Sequence, residues 1–576
     1  MVRLLRFLKG YEKESIIGPL FKLFEACLEL SVPLIMASII DDGIKNNDTA
    51  YIVRMGGLLI LMGFLGLVCS VIAQYFAAKA AFGFGTALRR KVFETINGFT
   101  YTELDKIGTS TLVNRTITDI TQVQSGVNFG LRLFLRSPFI ILGSLILSFL
   151  LDVQLALIFV AITPLLAIVI WALMRFTMPI YKRAQGQLDK LALLTRESLL
   201  GVRVIRAFSR QEQEIEHFSS ENSTLRQTQL KGGSISALMN PLTYVLVNIG
   251  ILRLLQQGAF AVNFGRISQG DLVALVNYMN QILLALVALS NLIVTVGKSF
   301  AGAVRINEIL DTAPSFSSGN KEAFPKAGVP SVEFRDVSFG YGGNEVLSHI
   351  SFSILPGETI GIIGGTGAGK STLVNLIPRF YAPTKGTILF HGLPLEQWDF
   401  TSLRRRMGIV PQKAVLFEGT IASNLRWKAP NASDEQLWKA LDIAQASDFV
   451  KKLEHHLESD VLKGGSNFSG GQRQRLSIAR ALSSPSDLLI LDDSTSALDY
   501  ATDAKLRQAL QKEKQPLQTI LLVSQRVACV RNANRILVLD DGKLVGFGTH
   551  KQLLEQCPVY REICLSQLSK EEVEQG

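Results

Sequence analysis

The sequence predicts an α-helical membrane domain followed by a soluble α/β domain, and three observations support that division. The first half of the 576-residue chain contains six apolar stretches, each of about 20 residues, the length that crosses a bilayer as a helix. Residues 312–330 are rich in Pro, Ser and Gly, as linkers are. After them, β-rich runs such as SVEFRDVSF and ETIGIIG alternate with helical runs. We therefore expect a transmembrane domain over 1–311, a linker over 312–330 and an α/β domain over 331–576.

The composition is that of a membrane protein. Hydrophobic residues make up 48% of the chain and charged residues 19%, and the mean hydropathy is +0.26. The net charge of +10 favours cytoplasmic loops rich in Lys and Arg over nucleic-acid binding. The five cysteines have neither metal-ligand nor disulfide spacing, so we expect free thiols.

The apolar stretches and the charged loops between them predict the topology. The predicted spans are 16–40, 55–78, 134–152, 153–175, 241–263 and 272–297, and the third meets the fourth in a tight turn at Asp152. The long loops after the second and fourth spans carry most of the Lys and Arg, which places these loops and both termini in the cytoplasm. Because the loops contain few helix breakers, we expect them to continue the spans as helices. The N-terminal MVRLLRFLKGYEKES lacks a signal-peptide core and is interpreted as a cytoplasmic elbow.

A phosphate-binding motif opens the α/β domain. The stretch GGTGAGKST matches G-x-x-x-x-G-K-[ST] and lies between a predicted strand, TIGII, and a predicted helix, KSTLVNLI. Its backbone N–H groups and the helix N-terminus favour bound phosphate. Lys370 is expected to reach the β- and γ-phosphates of ATP, and Ser371 to hold Mg²⁺. The residues of the predicted loop are Gly364, Gly365, Thr366, Gly367, Ala368, Gly369, Lys370, Ser371 and Thr372.

Two further motifs follow at a specific spacing. FSGGQRQRLSIAR spans Phe468–Arg480, and LLILDD spans Leu488–Asp493, where Asp492 ends an apolar strand and is expected to serve the Mg²⁺ site. With GGTGAGKST upstream, the three motifs together resemble the ATP-binding cassette (ABC) transporters. The stretches Leu104–Ile120 and Gly201–Phe218 also resemble the intracellular loops of ABC exporters, where a short transverse helix rests on the nucleotide-binding domains.

The resemblance implies roles for further residues of the α/β domain. Gln412 in GIVPQ matches the loop that senses the γ-phosphate and contributes to the metal site, and Tyr341 matches the aromatic residue that stacks on adenine. Ser496–Asp499 matches the D-loop, and the signature consists of Ser469, Gly470, Gly471 and Gln472. In the family each ATP lies between the Walker motifs of one subunit and the signature of another. A chain with one motor domain is therefore a half-transporter that must dimerise.

Two residues depart from the family pattern. The family usually has Glu where this chain has Asp493, and His where it has Gln525. Asp493 is one methylene shorter, and a displacement of about 1 Å at such a position costs about 100-fold in rate. Gln525 donates a hydrogen bond but does not titrate. Two losses in one site suit a heterodimer with one degenerate and one competent site, an arrangement that resembles bacterial multidrug exporters in the cell membrane. The intact signature would complete the competent site of the partner.

The substrate is the least defined part of this prediction. Candidate polar residues within the spans are Glu25, Glu29, Gln74 and Arg253, and intramembrane charges are often functional. Glu25 and Glu29 share a helix face and would attract cationic amphipathic drugs. The alternatives are pairing with Arg253 or a hydrated position near the cytoplasmic mouth. Rival functions are export of lipids or peptides, and an ATP-gated channel or regulatory subunit.

Overall fold

The computed structural model describes residues 1–568 and divides them into two units. Unit 1 comprises Met1–Gly98 and Ile107–Ala313, and unit 2 comprises Phe99–Lys106 and the described residues from Pro314 onward. Six helical segments of unit 1 are long and apolar enough to cross a membrane. Their bounds are Glu12–Ile44, Thr49–Asn97, Thr109–Leu151, Val153–Leu200, Gln211–Asn263 and Gln269–Asp311. The predicted fold class, six apolar helices followed by an α/β domain, is confirmed.

The first eleven α-helices precede the strands, after a 3-10 helix at Val2–Leu8. They are α1 (Glu12–Ser38), α2 (Thr49–Asn97), α3 (Tyr101–Ile107), α4 (Thr109–Asn114), α5 (Ile120–Leu133), α6 (Arg136–Leu151), α7 (Val153–Leu200), α8 (Val202–Ala207), α9 (Gln211–Ala237), α10 (Met239–Asn263) and α11 (Gln269–Asp311). Single π turns at Ile39–Ile44 and Arg115–Asp119 continue α1 and α4. The long loops are helical, as predicted, because α2 and α7 run on well beyond the predicted spans.

Side-chain caps begin three of the long helices. The carboxylates of Asp48 and Asp152 accept hydrogen bonds from backbone N–H groups at the starts of α2 and α7, and Ser268 forms a capping box with Asp271 at the start of α11. These oxygens satisfy N–H groups that the helix itself leaves without partners. The extended backbone of Asp152 also makes the tight turn predicted after the third span.

Small residues let α1 and α2 pack closely. Ala73, Ala77 and Ala80 of α2 are fully buried, and a Cβ on Gly18 of α1 would lie 3.3 Å from the backbone nitrogen of Ala77. In a membrane, helices associate largely through such close van der Waals contact, because lipid supplies no hydrophobic driving force between them.

Unit 2 contains three sheets. Its strands are β1 (Val332–Tyr341), β2 (Asn344–Ile354), β3 (Thr359–Gly364), β4 (Lys385–Phe390), β5 (Leu393–Pro394), β6 (Met407–Val410), β7 (Gly419–Thr420), β8 (Asp460–Val461), β9 (Leu488–Asp492), β10 (Thr519–Val523), β11 (Arg535–Asp540) and β12 (Lys543–Gly548). The central sheet has the order β12-β11-β3-β10-β9-β6, with only β12 antiparallel. A second, antiparallel sheet has the order β2-β1-β4-β5, and β7 pairs with β8.

Ten helices surround these sheets. They are α12 (Lys370–Leu376), α13 (Phe400–Arg405), α14 (Ile421–Leu425), α15 (Asp434–Ile443), α16 (Ser447–Val450), α17 (Gly470–Leu482), α18 (Tyr500–Glu513), α19 (Val527–Val530), α20 (His550–Gln556) and α21 (Pro558–Leu565). The parallel strands β3, β9 and β10 end at the same edge, since Val523 pairs with both Ile362 and Asp492. That carboxyl edge is where open α/β sheets bind ligands.

A short helix from the first long loop, α3, belongs to unit 2. The ring of Tyr101 in α3 lies 4.7 Å from that of Phe380, and Asp105 accepts a hydrogen bond of 2.6 Å from Tyr381. The buried Glu103 carboxylate accepts hydrogen bonds from Ser315. Its pKa lies below the usual Glu value because these bonds, with those from Thr100, outweigh the effect of burial.

Candidate nucleotide site and membrane polar residues

The predicted phosphate loop joins β3 to α12 at the carboxyl edge of the central sheet. Gly367 and Gly369 have φ angles of +85° and +92°, which side chains rarely adopt. A Cβ on Gly364 would lie 2.2 Å from the carbonyl oxygen of Leu539. These glycines therefore give the loop a compact turn whose backbone N–H groups suit an anion at the start of α12.

Lys370 is drawn back against this loop. Its ammonium donates to the carbonyl oxygens of Gly364 and Gly365 at 2.9 and 2.6 Å, and the residue is 8% exposed. Burial lowers the pKa of Lys370, and the carboxylates of Asp493 and Asp492 partly counter that effect. A buried cation facing two carboxylates fits the polyphosphate of ATP, whose charge it would neutralise.

Ser371 and Asp492 form the candidate Mg²⁺ site. The Ser371 hydroxyl donates to Oδ1 of Asp492 at 2.9 Å, across the ends of α12 and β9. Burial raises the pKa of Asp492, and the neighbouring Asp493 carboxylate raises it further, against the hydrogen bond from Ser371. A hydroxyl and a buried carboxylate are oxygen ligands that Mg²⁺ accepts alongside nucleotide phosphates. Bound there, the metal would neutralise charge on the β- and γ-phosphates.

Asp493 occupies a strained backbone position beside this pair. Its φ is +43°, and its N–H donates to the carbonyl of Val523 at 3.0 Å. Burial raises the pKa of its carboxyl, while Lys370, Arg526 and a hydrogen bond from Gln412 favour the charged form. Gln412 was predicted to serve the metal ion and the γ-phosphate. Its side chain therefore contacts the carboxylate of Asp493, at the position where the family usually has Glu.

Gln525 lies two residues beyond β10, at the same edge as Asp492. Its side chain is exposed, and the backbone of the preceding Ser524 is fixed to β3 by a hydrogen bond to Ile362. The next residue, Arg526, stacks over Tyr500 with 4.9 Å between its guanidinium carbon and the ring centre. Arg526 was not predicted, since a single Arg after a strand carries no motif of its own.

Tyr341 lies against the phosphate loop. Its hydroxyl is 3.4 Å from that of Thr372, and its ring meets that of Tyr381 edge to face at 5.2 Å. The side chain remains 40% exposed. This exposed ring beside α12 is compatible with adenine stacking.

The signature begins α17 on the surface of unit 2. Ser469 and Gly470 are exposed, whereas the preceding Phe468 is buried in the core. Ser469 and Gln472 form a reciprocal capping box, in which the Ser469 oxygen accepts from the Gln472 N–H at 3.3 Å. The hydroxyl proton of Ser469 is not used in this bond and remains available to an outside acceptor.

The acidic residues of the first span are paired, but not with Arg253. Lys22 donates to Glu25 at 2.5 Å, and Arg136 donates to Glu29 at 2.7 Å. Arg253 is exposed and donates to Gln256 on its own helix, so the alternative in which these carboxylates pair with Arg253 is wrong. The reason is proximity: Lys22 lies one helical turn from Glu25, and Arg136 begins α6, which packs beside α1.

Three of these four paired residues border a cavity of about 490 Å³ between α1, α2 and α6. Its wall includes Glu25, Glu29 and Arg136 among Leu, Met and Gly side chains. Gln74 is exposed on α2 and is not among the residues of this wall. Neither Lys22, inside the first predicted span, nor Arg136, near the start of the third, was predicted as a partner, because neither belongs to a motif.

Comparisons with known proteins agree with the two-unit structure. Residues 15–286 match the family model of the ABC transporter transmembrane region, and residues 347–496 match the ABC transporter model. An uncharacterised ABC transporter ATP-binding protein of Mycobacterium tuberculosis is 35% identical over 554 residues, covering 95% of each chain. The ATP-dependent lipid A-core flippase of Escherichia coli is 30% identical over 536 residues, covering 92% of this chain and 91% of the flippase.

A solved structure has the same fold. A bacterial Atm1-family ABC exporter with ATP bound superposes with a TM-score of 0.83 at 22% identity, covering 97% of this chain and all of the other. The chain therefore belongs to the ABC transporter family. It is a multi-pass half-transporter of exporter fold whose motor domain is of the ATP-hydrolysing, ATP-binding class.

Proposed function

We propose that this chain is one half of a heterodimeric ABC exporter, which supplies Walker motifs to a degenerate ATP site and its signature to a competent one. One observation carries the proposal: Asp493 and Gln525 both depart from the family pattern at the same sheet edge, while the signature Ser469–Gln472 is intact. In a homodimer both ATP sites would contain both departures.

The local chemistry supports slow hydrolysis at this chain's own Walker motifs. The Asp493 carboxylate is one methylene shorter than Glu, and a displacement of about 1 Å at such a position costs about 100-fold in rate. Gln525 offers an amide donor to a γ-phosphate but has no proton to exchange near neutral pH. We infer that ATP binds at this site and remains there while the other site turns over.

The exposed signature supports the second half of the proposal. Ser469 and Gly470 lie on the surface of unit 2, where another motor domain would reach them. The resemblance assigns Ser469 to the γ-phosphate of the partner's ATP. The partner would supply the Glu and His that this chain lacks.

The proposed activity is export of hydrophobic or amphipathic compounds, including multiple drugs, across the bacterial cell membrane. Charged loops rich in Lys and Arg support cytoplasmic termini. The cavity beside Glu25 and Glu29 supports an amphipathic substrate. Because each carboxylate already has a cationic partner, a cationic compound would have to compete with Lys22 or Arg136.

Lipid export is the second candidate. It is favoured by the 30% identity with the Escherichia coli lipid A-core flippase over most of both chains. Both candidates share the ATP cycle and differ in the compound carried. Reconstituted vesicles separate them: the drug-export reading expects uptake of fluorescent amphipathic drugs, and the lipid reading expects ATP-dependent translocation of labelled lipid without drug uptake.

The deciding experiment compares this chain alone with the chain co-expressed with a second half-transporter that has Glu and His at the matching positions. We expect slow ATP hydrolysis from the chain alone, and substrate-stimulated hydrolysis with nucleotide retained at this chain's Walker motifs in the heterodimer. Vigorous, substrate-stimulated hydrolysis by the chain alone would falsify the heterodimer proposal.

A further inference from the structure

Gln567 lies just after the last helix of the described chain, and its side chain makes two hydrogen bonds to the backbone around Gln525. Its side-chain Nε2 donates to the carbonyl oxygen of Gln525 at 2.8 Å, and its Oε1 accepts from the N–H of Val527 at 2.9 Å. One amide thus bonds the residues on both sides of Arg526. We propose that Gln567 is a positioning residue that sets the backbone of Gln525 for contact with the γ-phosphate of ATP.

The bond from the Val527 N–H to Gln567 does the work of a missing helix cap. Val527 is the first residue of α19, and the residue before it, Arg526, makes no side-chain cap. The first N–H groups of a helix have no partner within it. Gln567 supplies the acceptor from a distant part of the chain, so the start of α19 depends on the C-terminal helices.

The bond to the Gln525 carbonyl fixes the residue that the proposed function assigns to the γ-phosphate. Upstream, Ser524 is held by its N–H bond to Ile362 of β3 at 3.1 Å. Downstream, Gln567 holds the Gln525 carbonyl. Because its backbone is tied on both sides, Gln525 has less backbone freedom to lose when it binds an anion, which lowers the entropic cost of that contact.

The C-terminal helices anchor Gln567 firmly to the motor core. Cys564 and Tyr560 of α21 are fully buried in one apolar cluster with Val527 and Ile363, the latter in the strand that leads into the phosphate loop. The backbone N–H of Gln567 donates to the carbonyl of Cys564 at 3.0 Å. A shift of α21 would therefore reach the loop through both the apolar contacts and the amide.

The two hydrogen bonds of Gln567 matter more in this chain than they would beside a side chain that titrates, such as His. Gln525 contacts phosphate only through a neutral amide, whose hydrogen bonds contribute less than those of a charged donor. Its contribution therefore depends on placement. The inference rests on the proposed function to this extent: ATP must bind at this chain's own Walker motifs.

The test compares the affinities of ATP and ADP, because only ATP has a γ-phosphate. Binding is measured by Mg²⁺-nucleotide titration of the detergent-solubilised full chain. We expect Gln567→Ala to weaken ATP binding about fivefold to tenfold relative to ADP, as the loss of one or two hydrogen bonds implies. Gln556→Ala, at an exposed position of α20, is the matched control and should leave the ATP-to-ADP ratio unchanged.

Two further variants separate positioning from general stability. Gln567→Glu keeps an acceptor for Val527 but faces the Gln525 carbonyl with a second acceptor, so it should lower the ATP-to-ADP ratio at least as far as Ala does. In a Gln525→Ala background, Gln567→Ala should have no further effect on the ratio, since both act through one contact. Hydrogen exchange at the peptide containing Val527 should quicken in Gln567→Ala, which removes the acceptor of the Val527 N–H, and less in Gln567→Glu, which keeps one.

The outcomes distinguish the two proposals. If the unaltered chain binds neither nucleotide, the proposed ATP site fails. If it binds ATP but Gln567→Ala changes ATP and ADP binding equally, or the two substitutions add fully, Gln567 does not position Gln525 and this inference is wrong.

Discussion

The Ser371 hydroxyl and the Asp492 carboxylate meet at 2.9 Å where β9 ends beside α12. Asp492 is 6% exposed, and burial raises its pKa above the usual Asp value. The folded motor thus holds a carboxylate whose charged form is disfavoured until a cation arrives. Such a site lowers the stability of the ligand-free protein and favours the binding of a metal ion and its nucleotide.

Asp492→Asn should therefore stabilise the ligand-free chain near neutral pH and abolish its stabilisation by Mg²⁺-ATP. Because the folded-state pKa is raised, the folded state holds its proton more tightly, and stability falls as pH rises from the unfolded to the folded pKa. The advantage of Asn over Asp should be present above the folded pKa and vanish below the unfolded one. Thermal unfolding at several pH values, with and without Mg²⁺-ATP, measures both effects. An unchanged response to Mg²⁺-ATP would exclude Asp492 from the metal site.

Asp493→Glu alone should restore little hydrolysis. The longer carboxylate would still lack the titrating partner that Gln525 replaces. The double variant Asp493→Glu, Gln525→His should raise the ATPase rate of the chain by about tenfold or more, because repositioning by about 1 Å can change rates 100-fold. Steady-state phosphate release by the three proteins provides the comparison. Full recovery of the ATPase rate with Asp493→Glu alone would show that the shorter side chain of Asp493 accounts for all of the lost rate.

The fold class and the strand, loop and helix around the phosphate-binding motif were predictable because each depends on local pattern. Apolar runs of membrane length and a strand followed by a glycine-rich loop and a helix determine their own structure. The pairing of Glu29 with Arg136 was not predictable, since it joins residues 107 positions apart. The contacts of Gln567 were not predictable for the same reason: its partners lie 42 and 40 positions upstream, and a lone Gln belongs to no motif.

The effects of substituting Glu29 and Arg136 on stability should not be additive, because the two residues form an ion pair. Either Glu29→Gln or Arg136→Gln leaves a charge without its partner beside an apolar cavity, which is costly in a membrane. The double variant should lose less stability than the sum of the two, by about 0.5–3 kcal/mol. Thermal unfolding in one detergent measures the cycle, and Gln74→Ala on the exposed face of α2 serves as a control.

The same variants test cation recognition at Glu29. If this carboxylate binds cationic drugs directly, Glu29→Gln should reduce export of cationic compounds and spare neutral ones. Restoring charge balance in the double variant should then leave cation export low. Recovery of cation export in the double variant would show that the pair is structural.

The signature and Asp493 should differ sharply in their effect on the heterodimer. Ser469→Ala removes a hydroxyl that is proposed to serve the competent site, so it should reduce ATPase and transport far more than Asp493→Ala does. A Cβ on Gly471 would lie 3.1 Å from the carbonyl oxygen of Ala497 in this chain, and it would also obstruct the close approach of a partner. Gly471→Ala should therefore be as damaging as Ser469→Ala.

A matched variant separates the loss of that hydroxyl from the loss of a helix cap. Ser433 caps α15 in the same way that Ser469 caps α17, through a capping box with a Gln three residues on. Ser433→Ala and Ser469→Ala should each cost about 1 kcal/mol of stability, but only Ser469→Ala should lose transport. All four variants are measured in one heterodimer preparation, by ATPase rate and by transport into vesicles. If Asp493→Ala proves the most damaging, hydrolysis takes place at this chain's own Walker motifs, and the degenerate site belongs to the partner.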